Sequence, residues 1–228
     1  MGQIIIQEET TKNPLQLIGK ESGICWGSDT SDKEKNIKRA LDCINSGHGR
    51  VLEFVEVYME LDGYSARVIR EFYTHIGGAP SRLQASTRYI DYESGFDYVT
   101  PPSLKKRPEA EQVYKQAMAD IQRSLQTLDA LKIPREDCAM ILPLGMTTKV
   151  VCRMNLRTLV DMSHQRMCSR AYWEFRSLMD NLFMALNGYS KEWEEITFEL
   201  FKPKCEVYGY CTEKKSCGRK PKKETGEE

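Results

Sequence analysis

Two short polar runs in this 228-residue sequence carry groups suited to holding an anion. In Gln84-Ala85-Ser86-Thr87-Arg88-Tyr89 the serine stands two residues ahead of the arginine. On an extended strand, hydroxyl and guanidinium would leave the same face as a donor set that matches a phosphate. A later helical run from Asn155 to Arg166 adds Arg157 and Arg166, and arginines on a facing helix would complete an anion pocket. Each run also has an ordinary explanation: Ser-x-Arg is a common triplet, and a helix arginine is usually a solvated charge with its stem laid along apolar surface.

The elements that must position these residues are marked by their punctuation. Ser31-Asp32 precedes a helical run in which Ile37, Leu41 and Ile44 share a face, and Ser46-Gly47 stops it, so His48 falls just past a helix end. Val51 to Leu61 reads as a half-buried strand, through the alternation of Val55, Val57, Met59 and Leu61 with polar residues, and Asp62-Gly63 should turn it. Ser65 to His75 reads as a helix, Gly77-Gly78-Ala79-Pro80 as a hinge-like loop, and Gln84 to Tyr92 as a second strand. Pro108 opens a long helix whose stripe Val113, Ala117, Ile121, Leu125, Leu128 is core or an oligomer interface. Ile133-Pro134 breaks that helix, Thr147 to Arg153 is extended, and Asn155 to about Asn187 forms the last long helical pattern. Strands grouped between helices indicate an α+β fold with an antiparallel sheet and long helices. No GxGxxG run follows a strand, which disfavours a Rossmann nucleotide site.

Composition narrows the classes. The length suits one core with extensions, and 33 basic against 33 acidic residues leave no global field to attract nucleic acid. No run of about 18 apolar residues and no charged-then-apolar leader is present, so the reading is a cytoplasmic protein with no membrane partner. Of eight cysteines, Cys138, Cys152 and Cys168 lie in apolar or helical surroundings and read as core. Cys205, Cys211 and Cys217 are spaced too widely for a CxxC pair and lack a nearby histidine, so no metal site is expected; a charged, disordered tail is expected over 213–228, after a domain spanning 1–212. Basic residues between Lys202 and Lys223, interleaved with Tyr208 and Tyr210, leave a non-enzymatic nucleic-acid binder as an alternative, though a solvated tail accounts for them as well. Arg135-Glu136-Asp137 follows Pro134 at a helix start, where carboxylates favour exposed amides, and is assigned no catalysis. Trp173, within an apolar helical face, reads as core.

Gln84, Ser86, Arg88 and Tyr89, Gly47-His48 followed by Glu53, the Leu142-Pro143-Leu144 turn, and Asn155-x-Arg157 with Arg166 nine residues on occur in an order that resembles the flavin-dependent thymidylate synthases across roughly residues 40 to 200. The resemblance implies that family's fold. It also implies methylation of dUMP to dTMP with methylenetetrahydrofolate as carbon donor, FAD and NADPH for reduction, and no cysteine nucleophile. By the same resemblance Ser86 and Arg88 would hold the nucleotide phosphate with Gln84 close by, and Arg166 would be the catalytic arginine at the uracil edge. His48, Asn155 and Arg157 would contact flavin.

The sequence departs from the family signature in four places. Where the family has arginine-histidine-arginine this chain has Thr74-His75-Ile76 if two loop residues are inserted, or Ile76-Gly77-Gly78 if none are; the first register is preferred, since it keeps His75 in place as a cofactor contact and sets Glu71 at the family's substrate-side glutamine. Both signature arginines are missing, with Arg70 or Arg82 the available substitutes. Ala139 stands where many members have a phosphate-binding arginine, and Asp161 where an asparagine faces the flavin. A changed loop over Gly77 to Ser81 leaves hydroxymethylation of a pyrimidine nucleotide as the alternative product. The resemblance further implies a homotetramer with active sites shared between subunits.

Overall fold

The computed structural model describes residues 2–223. The first elements are β1 (Gln3–Ile6), α1 (Pro14–Cys25), α2 (Lys33–Asn45), β2 (Glu56–Ser65), α3 (Ala66–Phe72), β3 (Ser81–Gln84) and α4 (Pro102–Lys105). They are followed by α5 (Pro108–Ala130), α6 (Arg135–Cys138), β4 (Thr147–Asn155), α7 (Leu156–Arg166), α8 (Trp173–Asn187), α9 (Lys191–Leu200) and α10 (Lys204–Tyr208). The strands form one antiparallel sheet in the order β1-β2-β4-β3, so the fold is α+β with long helices, as the sequence indicates. The chain divides into two compact units, one built mainly from Leu61–Thr74 and Arg82–Val151, the other from Ile4–Glu60, His75–Ser81 and the chain from Cys152 onward.

In the first unit α5 is the long helix that Pro108 opens, but of the expected stripe only Leu125 is buried, with Met118 from outside it, while Val113 is 72% exposed. Tyr114 donates its hydroxyl to Val99 O at 3.0 Å, and Gln122 Nε2 donates to Glu93 O, tying α5 to the segment that follows the predicted phosphate residues. The Leu142-Pro143-Leu144 turn receives the start of α3, with Arg67 N–H donating to Leu144 O and Ala66 N–H to Met146 O.

In the second unit α1, α2, α7, α8 and α9 enclose Leu15, Ile18, Leu159, Met162, Phe175, Leu182 and Trp193, all fully buried. Asp32 caps α2 by accepting from Lys35 N–H, as its place in the sequence suggests. The N-terminus of α1 is capped from far along the chain: Glu192 Oε2 accepts from the amides of Leu15 at 2.8 Å and Gln16 at 3.1 Å. Beside it the buried Trp193 indole donates to Thr11 O at 2.7 Å, and Ser190 Oγ donates to Lys12 O at 2.9 Å. A carboxylate on two orphan amides offsets the positive end of the helix, which no acidic residue of its own first turn does.

Several sequence expectations change. Gly49–Phe54 is a 3-10 helix rather than strand, because apolar residues alternate only from Val55; β2 then runs through Asp62-Gly63 to Ser65 instead of turning, with Gly63 at φ +72. The helix expected from Asn155 to Asn187 is two helices, and Arg176 Nη1 reaches back to Ser169 O at 2.8 Å and to Ala171 O in the connection. Trp173 opens α8 half-buried beside Tyr172, and the fully buried tryptophan is Trp193. Cys138 and Cys152 are buried as expected, whereas Cys168 is half-buried between α7 and α8. Residues 213–223 follow a turned path in which Cys211 pairs with Lys222; 224–228 lie outside the described residues.

Candidate active site

The first unit carries the serine–arginine pair, in a different backbone from the one expected. Strand β3 ends at Gln84, and Ser86 to Ile90 is a turn. Ser86 Oγ accepts from Arg88 N–H at 3.3 Å, while Ser86 O accepts from Ile90 N–H at 3.1 Å. A serine hydroxyl offers its own backbone this alternative to a sheet ladder, which overrides the β-rich composition of the run. From this turn the Arg88 guanidinium reaches outward, where its Nε meets Glu136 Oε2 at 2.9 Å, with the two side chains 65% and 56% exposed. Gln84 Nε2 lies 3.4 Å from Thr148 Oγ1. Glu71 pairs with Arg67 one turn earlier on α3 at 3.7 Å, and both line an open cavity of about 310 Å³ together with Arg70, Thr74 and Leu144.

The two arginines that could replace the missing signature pair differ sharply. Arg82 lies over the rings of Phe72 and Tyr73, at 5.1 and 5.0 Å, and donates to Tyr73 O at 3.2 Å, so it fastens the end of α3. Arg70 borders the cavity with Glu71. Ala139 faces a second, small cavity, where Arg135 stands among Asp91, Glu93 and Asp129. Hydrogen bonds to Asp129 and then Asp91, with some burial, push the Glu93 carboxyl up to about 7.

The second unit brings together His75 and Arg166. Arg166, in the last turn of α7, donates Nε–H to His75 Nε2 at 3.1 Å, which places the imidazole proton on Nδ1. Both rest on Phe175 of α8, the guanidinium 4.6 Å from the ring centroid and the imidazole edge-on at 5.7 Å. Phe175 is fully buried, so it acts as a fixed platform. The helix break before α8 hides it from a sequence reading, because the period that would align it with Arg166 is interrupted.

Asn155 is buried at the N-cap of α7, where Oδ1 accepts from Thr158 N–H at 3.0 Å. The loop from His75 is tied onto this cap rather than hinged. Thr158 Oγ1 donates to Gly77 O at 2.7 Å, Arg153 Nη2 reaches Ala79 O at 3.4 Å, and Gly78, at φ +66, approaches Asn155 so closely that a Cβ there would sit 2.1 Å from Nδ2. Thr158 carries no motif that would have flagged it.

Outside that cap, Arg157 holds Glu53 at 2.5 Å across to the 3-10 helix, close to Gly49, and both side chains are nearly half exposed. Asp161 is exposed one turn farther along α7, and His48 is exposed at the N-cap of the 3-10 helix. An open surface of guanidinium and imidazole beside a glycine suits a diphosphate, since Arg157 retains donors beyond the one given to Glu53. FAD therefore fits the groups available here better through Arg157 and His48 than through Asn155, whose carbonyl is spent on the cap. All eight cysteines are free thiols, and among the described residues no three His, Cys, Asp or Glu side chains converge on a point where they would hold a metal ion.

Residues 8–188 match the family described as Thymidylate synthase complementing protein. The flavin-dependent thymidylate synthase of Nitratidesulfovibrio vulgaris is 31% identical over 200 residues, covering 83% of this chain and 79% of its own. The chain belongs to this family. Among solved structures, a flavin-dependent thymidylate synthase from Helicobacter pylori complexed with FAD and dUMP has the same fold, with TM-score 0.70 at 19% identity over 88% of this chain and 100% of that one. So does the UMP/dUMP methylase PolB of Streptomyces cacaoi bound with 5-Br dUMP, with TM-score 0.73 at 14% identity over 88% of this chain and 96% of its own. As a flavin-dependent thymidylate synthase the chain is a methyltransferase enzyme.

Proposed function

We propose that this chain methylates dUMP to dTMP, taking the carbon from methylenetetrahydrofolate and reducing equivalents from NADPH by way of FAD. The observation that carries the reading is the Arg166–His75 pair on Phe175: a guanidinium held in place by a hydrogen bond and an aromatic face, permanently charged, beside a loop fastened to the cap of its own helix. Such a charge at the uracil edge stabilises the negative charge that develops on a ring oxygen when C5 becomes nucleophilic. Flavin, when bound, supplies the hydride that completes the methyl group.

Ser86 and Arg88 are assigned to the nucleotide phosphate, with Gln84 and Glu71 on the substrate side. Arg88's exposed pairing with Glu136 is worth at most about 1 kcal/mol, so a phosphate dianion offering a charge-assisted contact of roughly 1.5–3 kcal/mol displaces it. His48, His75, Asn155, Arg157 and Asp161 are assigned to the flavin, Asn155 through the cap it builds. We further assign residues 1–212 as the catalytic domain, a homotetramer with shared sites for which the exposed half of the α5 stripe supplies apolar surface, and a cytoplasmic location in keeping with the absence, among the described residues, of a helix long and apolar enough to cross a membrane. Anaerobic turnover with FAD, NADPH, methylenetetrahydrofolate and dUMP, read by nucleotide mass, tests the reaction. A product one methylene heavier than dUMP supports it; a hydroxymethyl product or unchanged dUMP overturns it.

A further inference from the structure

Four of the eight cysteines, Cys168, Cys205, Cys211 and Cys217, wall a single cavity of about 320 Å³ in the second unit. Three of the four come from a segment that has almost no core. Of residues 204–223 only Cys211 is buried, and Val207 and Tyr208 are each 48% exposed.

Yet the backbone is folded back on itself. Cys211 N–H donates to Pro221 O at 2.6 Å, Lys223 N–H to Cys211 O at 3.3 Å, and Gly218 N–H to Ser216 Oγ at 3.1 Å. A stretch this short, burying one side chain, gains little from apolar burial against the entropy of ordering it, and beyond exposed contacts such as Arg170–Glu213 and Arg219–Glu206 a covalent or metal staple would supply the rest. No disulfide supplies one.

We propose that Cys168, Cys205, Cys211 and Cys217 are the four ligands of a structural zinc ion that fastens residues 204–223 to the connection between α7 and α8. As the side chains stand, the thiols share a wall without converging, and tetrahedral closure to about 2.3 Å requires new χ1 wells at some of them. All four lie on short or irregular backbone, where such a change is easily absorbed. Four thiolates around Zn²⁺ leave a net charge of about −2; the same cavity is lined by Lys204 and Lys220, which offset it, and by Arg170 and Arg219, which pair with Glu213 and Glu206. Cys168 is two residues beyond Arg166, so the ion also braces the end of the helix that presents that arginine.

The test is metal analysis of the full chain expressed in zinc-supplemented medium and purified without chelator. The expected result is one zinc per chain, released in step with four thiols on titration with an organic mercurial, and a tetrahedral thiolate spectrum when Co²⁺ is introduced instead. Cys168→Ser and Cys217→Ser should lower the zinc content, whereas Cys25→Ser, at an exposed cysteine that does not line the cavity, should leave it at one per chain. Zinc removal should open residues 204–223 to protease. Absence of zinc together with no cobalt spectrum would overturn the proposal, as would iron with labile sulfide, or a disulfide among these four cysteines on peptide mapping. The measurements on the unsubstituted chain decide the matter even where a variant fails to fold.

Discussion

Replacing Gly78 by alanine acts at two points at once. The residue sits at φ +66, which costs an L side chain about 1–2 kcal/mol. The added Cβ would also fall 2.1 Å from Asn155 Nδ2, so the buried cap of α7 must move, at a loss of about 1 kcal/mol or more. Together these come to roughly 2–4 kcal/mol, or a fall in Tm on the order of 10 °C for a chain of this length. Gly47→Ala is the matched control: its φ is +74 but nothing lies within 4 Å, so only the backbone contribution applies and Tm should fall by roughly 4 °C. Thermal melts of both variants, and of Gly78→Ala combined with Asn155→Ala, separate the two contributions. The double variant should be less destabilised than the sum of its singles by about 1 kcal/mol, because the clash is then gone. Equal melting of the two glycine variants, or strict additivity in the double, would refute the account of the loop as clamped on the cap. Because His75 begins that loop, turnover should fall in Gly78→Ala as well.

Arg88→Ala should raise the KM for dUMP about 10- to 100-fold, and Glu136→Gln should lower it slightly by releasing the guanidinium; steady-state kinetics with varied dUMP read both. Arg166→Lys keeps the charge but loses the Nε–H bond to His75 and the planar contact with Phe175, and kcat should fall about 10²-fold or more. With Glu93 pushed up to about 7, the folded chain retains between pH 4.5 and 7 a proton that the unfolded chain has released. Stability should therefore fall as pH rises across that window and level off above it, and urea midpoints of Glu93→Gln should lack that slope.

How much of this was legible in the residues depended on whether local and distant forces agreed. The helix start after Asp32, the stop at Gly47 and the proline-opened α5 were legible because a residue and its own backbone settle them, whereas Asn155, read as a flavin contact, emerged as a cap only in the structure. The run from Ser86 was misread as strand because threonine, tyrosine and isoleucine favour sheets, while one serine hydroxyl bonded to the amide of Arg88 decides for a turn. The break between α7 and α8 was illegible because the group that satisfies its carbonyls, Arg176, lies inside the next helix. In the candidate site the arginines and histidines could be named from their order, but the partners that fix them, Phe175, Thr158 and Glu136, lie 9, 81 and 48 positions from Arg166, Gly77 and Arg88 and carry no motif.

The carboxylate of Glu192 on the amides of α1 also sets a schedule. Residues 16 and 192 are 176 positions apart, so at a synthesis rate of about 5–20 residues per second the first helix leaves the ribosome roughly 10–35 s before its cap exists. During that interval α1 lacks the acidic group that neutralises its N-terminus and has α2, the helix it packs against most, as its cover. The cap closes on the helix pair only when α9 arrives, so the last helix of the core completes the first.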